Sequence, residues 1–265
     1  MDPSQALSVG GLTQLEVIGQ RSIMIFDPTP LPMSEPSKLF YYRGAVRSGN
    51  LDNQLRACNA TIFKLNEEEH APELYANLTQ VDHPCVIKAL GFANRVEEDI
   101  NCSYLALTPF NTTFDAYTKK DTGADQNGRL TEDFITLIND IIDGLEELHS
   151  LGYYCPDLKC NCVAVIRQSG SISAKIWKFD RCDPGMEEEQ KNGDWLRLGQ
   201  LINSVSANKE VLNLVRKIGN GRLKGKSIMK ETALLTVRKK FDNVLAFYLH
   251  ISVHCQKKPN QSQQE

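Results

Sequence analysis

The stretch GYYCPDLKCNCVAV, residues 152–165, holds an Asp-Leu-Lys triplet and three cysteines within 14 positions. The aspartate invites a catalytic reading and the cysteines a metal or redox one, and the flanking sequence has to decide between them. Upstream, TEDFITLINDIIDGLEELHSLG (131–152) places Phe134, Ile138, Ile141, Leu145 and Leu148 at the spacing of one helix face turned to a core. Thr131 is positioned to cap that helix, and Gly152 to stop it in a left-handed turn. Downstream, CVAVIRQ and AKIWKF are β-type runs joined by Ser169-Gly170-Ser171, which reads as a hairpin.

The cysteine pattern fits a metal site poorly. Cys155, Cys160 and Cys162 are spaced C-x4-C-x-C with Cys182 following, whereas a structural zinc site uses two separated knuckles of closely spaced pairs. Buried reduced thiols are the ordinary account, and no metal is expected.

Residues 1–38 combine a short apolar run, Ser22 to Phe26, with prolines at 28, 30, 32 and 36, and read as an arm or appended strand. From Leu39 come the β-type runs LFYYRGAVRSG and CNATIFKL, then a short helical segment from Glu73 to Gln80. The apolar runs VIKALGF and SYLALTPF complete a small β-β-β-α-β-β unit. Beyond Asn111 the pattern is mainly helical, with further helices expected over Trp195–Val205 and Thr232–His250.

At 265 residues, 41% apolar and 24% charged, the chain can bury a substantial core in one large domain or two small lobes. The net charge of −3 argues against an obligate nucleic-acid binder, although Arg216 to Lys240 carries nine Lys/Arg against the single acid Glu231. That stretch reads as a solvated basic face. Neither a signal peptide nor a run near the roughly 18 apolar residues of a membrane span is present. A cytoplasmic or nuclear, non-secreted protein is therefore expected, with reduced cysteines and no membrane partner.

Taken in order, these pieces resemble the protein kinase fold. GLEELHSLGYYCPDLKCNCVAV is similar to the end of the large-lobe helix and the catalytic loop, HRDLKxxN. AKIWKFD resembles the strand leading into DFG, and VDHPCVIKALGF the segment written xHPNIVxLxG. Asp194-Trp195-Leu196-Arg197-Leu198-Gly199 has the D-x-W-S-x-G spacing of the helix that anchors the catalytic loop. The resemblance runs from about Leu39 to Phe247. It implies an α+β, bilobal fold with an N-terminal arm (1–38), a small β-rich lobe (39–110), a shortened, mainly helical lobe (111–255) and a polar tail (256–265).

The same resemblance implies lost chemistry. Asp157 matches the loop aspartate that accepts the substrate hydroxyl proton, but Cys155 replaces the family histidine and Cys162 the metal-binding asparagine. Lys178 stands where the magnesium-chelating aspartate belongs, and an ammonium repels the ion whose charge neutralisation drives phosphoryl transfer. The only glycine-loop candidate is Arg43–Gly49, which lacks the spacing for close phosphate approach. Thr61-Ile62-Phe63-Lys64 resembles VAIK, which would make Lys64 and Glu73 the ion pair at the nucleotide. Asp194 follows Lys178 by only 16 positions, and no Ala-Pro-Glu motif lies between them. The expectation is a catalytically inactive signalling domain, a pseudokinase acting as scaffold, decoy or allosteric regulator on an unnamed protein partner. It has no expected cofactor, and ATP binding is in doubt. The alternative is an atypical Ser/Thr kinase or nucleotide-binding protein using Asp157 and Lys64.

Overall fold

A computed structural model describes residues 11–31, 40–49, 55–65, 71–97, 100–120, 123–158, 162–236 and 239–247. Six strands form one sheet: β1 (Thr13–Glu16), β2 (Ser22–Phe26), β3 (Phe40–Gly49), β4 (Leu55–Leu65), β5 (Ala89–Glu97) and β6 (Ile100–Leu107). Their order is β1-β2-β3-β4-β6-β5, with every neighbouring pair antiparallel. Helix α1 (Ala71–Thr79) connects β4 to β5.

Residues 13–26, read from sequence as an arm or appended strand, thus supply two full strands. Ser22, Met24 and Phe26 are buried in alternation with exposed Ile23 and half-buried Ile25, the period-2 pattern of a strand with one covered face. Met24 and Phe26 join Tyr42, Ile62 and Tyr104 in a core on one face of the sheet. Phe63 and Leu65, one position out of phase with Ile62, join the larger core on the other face, with Ala71, Leu74 and Leu78 of α1.

That larger core continues into the helical half, made of β7 (Thr112–Thr113), α2 (Phe114–Lys120), α3 (Glu132–Ser150), β8 (Tyr153–Tyr154), β9 (Val163–Gln168), β10 (Ser171–Ile176), β11 (Asp180–Arg181), α4 (Glu187–Val205) and α5 (Lys209–Gly219). Two 3₁₀ turns follow, Gly225–Lys230 and Thr232–Leu234, then a helix over 239–247. Helix α3 matches its sequence pattern. Phe134, Ile138, Ile141, Leu145 and Leu148 are all fully buried, and Thr131 Oγ1 accepts a hydrogen bond from the Phe134 amide at 3.3 Å. Gly152 stops the chain beyond it at φ +79°. Hairpin β9–β10 turns through Ser169 and Gly170 at φ 51° and 83°, the two left-handed residues that match a hairpin to strand twist.

Two helices depart from expectation. Helix α4 begins at Glu187, not Trp195, because Glu187, Glu188 and Glu189 sit on its positive N-terminal end. The helix expected over Thr232–His250 is interrupted: Thr236 Oγ1 accepts from the Lys239 amide at 3.3 Å and caps a new start, and residues 248–250 lie outside the described part.

Candidate functional site

Asp194, in α4, is completely buried and ties three elements together. Its Oδ2 accepts the Cys155 amide at 2.9 Å and lies 2.7 Å from His149 Nε2 at the end of α3, while Oδ1 lies 3.0 Å from Arg197 Nη1. The carboxylate therefore holds the 152–158 loop by its backbone, the anchoring role that the sequence spacing suggested. Trp195 meets the His149 ring edge-on with centroids 5.0 Å apart and packs the far side of the junction.

Within the loop the cysteines act as hydrogen-bond donors. Cys155 is fully buried and its thiol donates to the Lys178 carbonyl at 3.3 Å, while the Cys162 thiol donates to the Asp157 carbonyl. The hydrogen bond with Cys162, and then burial, hold the Cys155 thiol well above its usual range. Lys159, Cys160 and Asn161 lie outside the described residues. Among the described residues, no three His, Cys, Asp or Glu side chains are placed to share a metal ion. Asp157 is exposed on the loop.

The segment after β10 alternates inward and outward. Trp177 and Phe179 are fully buried, and Lys178 between them is half-buried. Phe179 meets the Tyr153 ring edge-on at 5.2 Å, and its carbonyl accepts from Asn77 Nδ2 of α1 at 3.4 Å. Phe179 is therefore tied to helix α1 through its carbonyl and to β8 through the Tyr153 ring. Asp180 opens β11, in register with Tyr154 of β8.

On the sheet, the expected Lys64–Glu73 pair is not formed. Lys64 projects to the face of Ile62, where its Nζ pairs with Glu97 Oε2 at 2.6 Å, and Tyr104 donates its hydroxyl to Glu97 Oε1 at 2.5 Å. Burial pushes Glu97 up, but the bonds from Lys64 and Tyr104 outweigh it and leave its carboxyl below the usual range. Glu73 is exposed on α1, on the opposite side of the sheet. A strand alternates faces at every residue, so Phe63 and Leu65, not Lys64, lie on the α1 side.

The glycine-loop candidate is likewise not a loop. Gly44 and Gly49 belong to β3, and a Cβ at Gly44 would lie 2.4 Å from the Ile25 carbonyl oxygen, so this glycine serves close strand packing. The link between β2 and β3 is the proline-rich stretch 27–39, which contains no glycine.

An aromatic cluster that sequence reading missed fills the junction between sheet and helical half. Phe63 of β4 stacks on Trp177 with centroids 4.4 Å apart and planes 24° from parallel, and both are fully buried. Phe110, from the connector after β6, stacks on Phe63 at 5.7 Å, and Tyr41 of β3 closes over both at 5.8 and 6.1 Å. Backbone bonds hold the parts in place: the Trp177 amide donates to the Cys162 carbonyl at 3.0 Å, Ile87 to Ile176 at 2.9 Å and Asn111 to Val165 at 3.0 Å.

No family model matches this chain, and no curated protein matches it in sequence. Its fold is similar to the crystal structure of Rad53 1–466, a protein kinase, in complex with AMP-PNP. The TM-score is 0.55 at 13% identity, and the match covers 85% of this chain and 66% of that one. At that identity the likeness speaks for architecture alone. The chain has a protein kinase-like fold.

Proposed function

We propose that this chain is a bilobal kinase-like domain that transfers no phosphoryl group and works as a scaffold, decoy or allosteric regulator through surfaces offered to a protein partner. The observation that carries this reading is the Phe63–Trp177 stack, closed by Phe110 and Tyr41, at the junction where a kinase of this architecture would hold its nucleotide. Buried rings in contact leave no room for a purine. The charges point the same way. Lys64 is committed to Glu97 on the other face of the sheet, and Lys178 occupies the position of the metal-binding carboxylate. Phosphoryl transfer depends on positioning and on charge neutralisation by magnesium, and the exposed Asp157 does not by itself supply the ion's charge. Its exposure is the one feature favouring the atypical-kinase reading, and a single assay separates the two. Incubation with γ-labelled ATP, a generic protein substrate and Mg²⁺ or Mn²⁺ is expected to leave no label above an Asp157→Ala control. Label that appears with the unaltered chain and vanishes in that variant would refute the proposal.

A further inference from the structure

All six strands of the sheet contribute side chains to the smaller core, the one that holds Met24, Phe26 and Ile62. In a flat sheet the edge strands β1 and β5 would lie far apart, but here they meet. The Ile18 amide, just past β1, donates to the Phe92 carbonyl of β5 at 2.9 Å. Val17 packs so close to Gly91 that a Cβ on that glycine would lie 2.5 Å from Val17 Cγ1. The sheet therefore curls into a barrel with the smaller core as its interior.

Toward one end the interior changes from apolar to charged. Two residues beyond Ile62 and Ala93, on the same inward face, come Lys64 and Arg95, and two beyond Arg95 comes Glu97. Among the described residues, Lys64, Arg95, Val96, Glu97, Ile100 and Cys102 line a cavity of about 540 Å³ at this mouth. Small-molecule sites span roughly 300 to 1,000 Å³ and favour barrel mouths. Glu97 is shared: Oε2 lies 2.6 Å from Lys64 Nζ, while Oε1 accepts the Tyr104 hydroxyl and lies 3.3 Å from Arg95 Nη1. One carboxylate against two cations leaves one positive charge uncompensated. An ammonium carries three N–H donors and a guanidinium five, so both side chains keep donors for a further acceptor. Val96 and Ile100, both exposed, give the mouth an apolar rim.

We propose that this barrel mouth binds a small monocarboxylate with an apolar body, its carboxylate held by Arg95 and Lys64 and its body against Val96 and Ile100. The charge balance selects a monoanion, because the second charge of a dianion would face Glu97. The geometry of the guanidinium suits a carboxylate, which it can grip through two parallel N–H donors. The site lies on the opposite face of the sheet from the Phe63–Trp177 stack, and the inference stands whether or not the domain transfers phosphate.

The test is calorimetric titration of the full chain with benzoate, and with benzyl alcohol, benzylamine and phenyl phosphate as neutral, cationic and dianionic counterparts. Benzoate is expected to bind, with each counterpart weaker by about tenfold or more. Arg95→Gln is expected to weaken benzoate by about tenfold, with a melting temperature close to that of the unaltered chain because Arg95 is partly exposed. Glu97→Gln removes the competing carboxylate and is expected to tighten benzoate by about threefold or more, a gain that damage to the fold would not produce. No heat of binding with millimolar benzoate, equal binding of benzyl alcohol, or affinity unmoved by Arg95→Gln would overturn the proposal. So would preference for benzylamine, which would make Glu97 the recognising group, or for phenyl phosphate, which would assign the mouth to phosphate esters.

Discussion

Replacing Asp194 by alanine tests the junction that holds the loop. The carboxylate is fully buried and receives the Cys155 amide, His149 and Arg197, so its removal orphans a buried backbone N–H and takes the counter-group from the His149 ring. One buried donor left without a partner costs about 1 to 3 kcal/mol, and removing one member of a buried charged network about 3 to 5 kcal/mol. Arg197 is partly exposed and can turn to solvent, which keeps the expected loss toward the lower part of that range, about 3 to 4 kcal/mol. Asp194→Asn retains one acceptor oxygen and should cost about 1 to 3 kcal/mol. Urea unfolding under reducing conditions, followed by tryptophan fluorescence, measures both, because Trp195 sits against His149 and reports this junction. A loss below about 1 kcal/mol for Asp194→Ala would mean that the Cys155 amide has water in place of the carboxylate, and the anchoring account would fail.

Other substitutions probe the remaining contacts. Trp177→Ala empties the centre of the aromatic cluster and should cost about 3 to 5 kcal/mol in the same unfolding assay; a loss near zero would show that the rings are not packed together. A double-mutant cycle between Lys64→Met and Glu97→Gln should return a coupling of about 1 kcal/mol, whereas Lys64→Met with Glu73→Gln should return none. Because Glu97 is held below the ordinary carboxylate range, its stabilising share is present above about pH 4.3 and is lost as pH falls through its lower folded value. Glu97→Gln should therefore flatten the acid limb of the stability curve. Iodoacetamide should modify exposed Cys58 well before buried Cys155 or Cys162, as read by peptide mass spectrometry.

Helix α3, its cap at Thr131 and the 169–170 turn were legible because each is a local code, a 3.6-residue stripe or a short residue pair with one favoured geometry. Asp194 was legible through its spacing to Trp195 and Gly199, and the structure places it on the loop backbone as expected. The Lys64–Glu73 pairing failed for a physical reason: motif matching aligns residue types, but a strand inverts its faces at every step, and Lys64 lies on the face away from α1. The aromatic cluster was invisible because Tyr41, Phe63, Phe110 and Trp177 meet only after four separate segments fold together. The helix starts at Glu187 and Thr236 depended on capping and dipole terms, which weigh little beside the apolar periodicity used to draw the boundaries.

The claim that protein rings fill the nucleotide position is tested most directly by melting the unaltered chain with and without millimolar Mg-ATP. A ligand at a hundred times its Kd adds about 2.7 kcal/mol to the folded state, several degrees for a chain of this size. The account predicts no change in melting temperature with Mg-ATP, Mn-ATP or metal-free ATP. A reproducible, magnesium-dependent rise would contradict it, because Phe63 and Trp177 would then have to separate to admit the base.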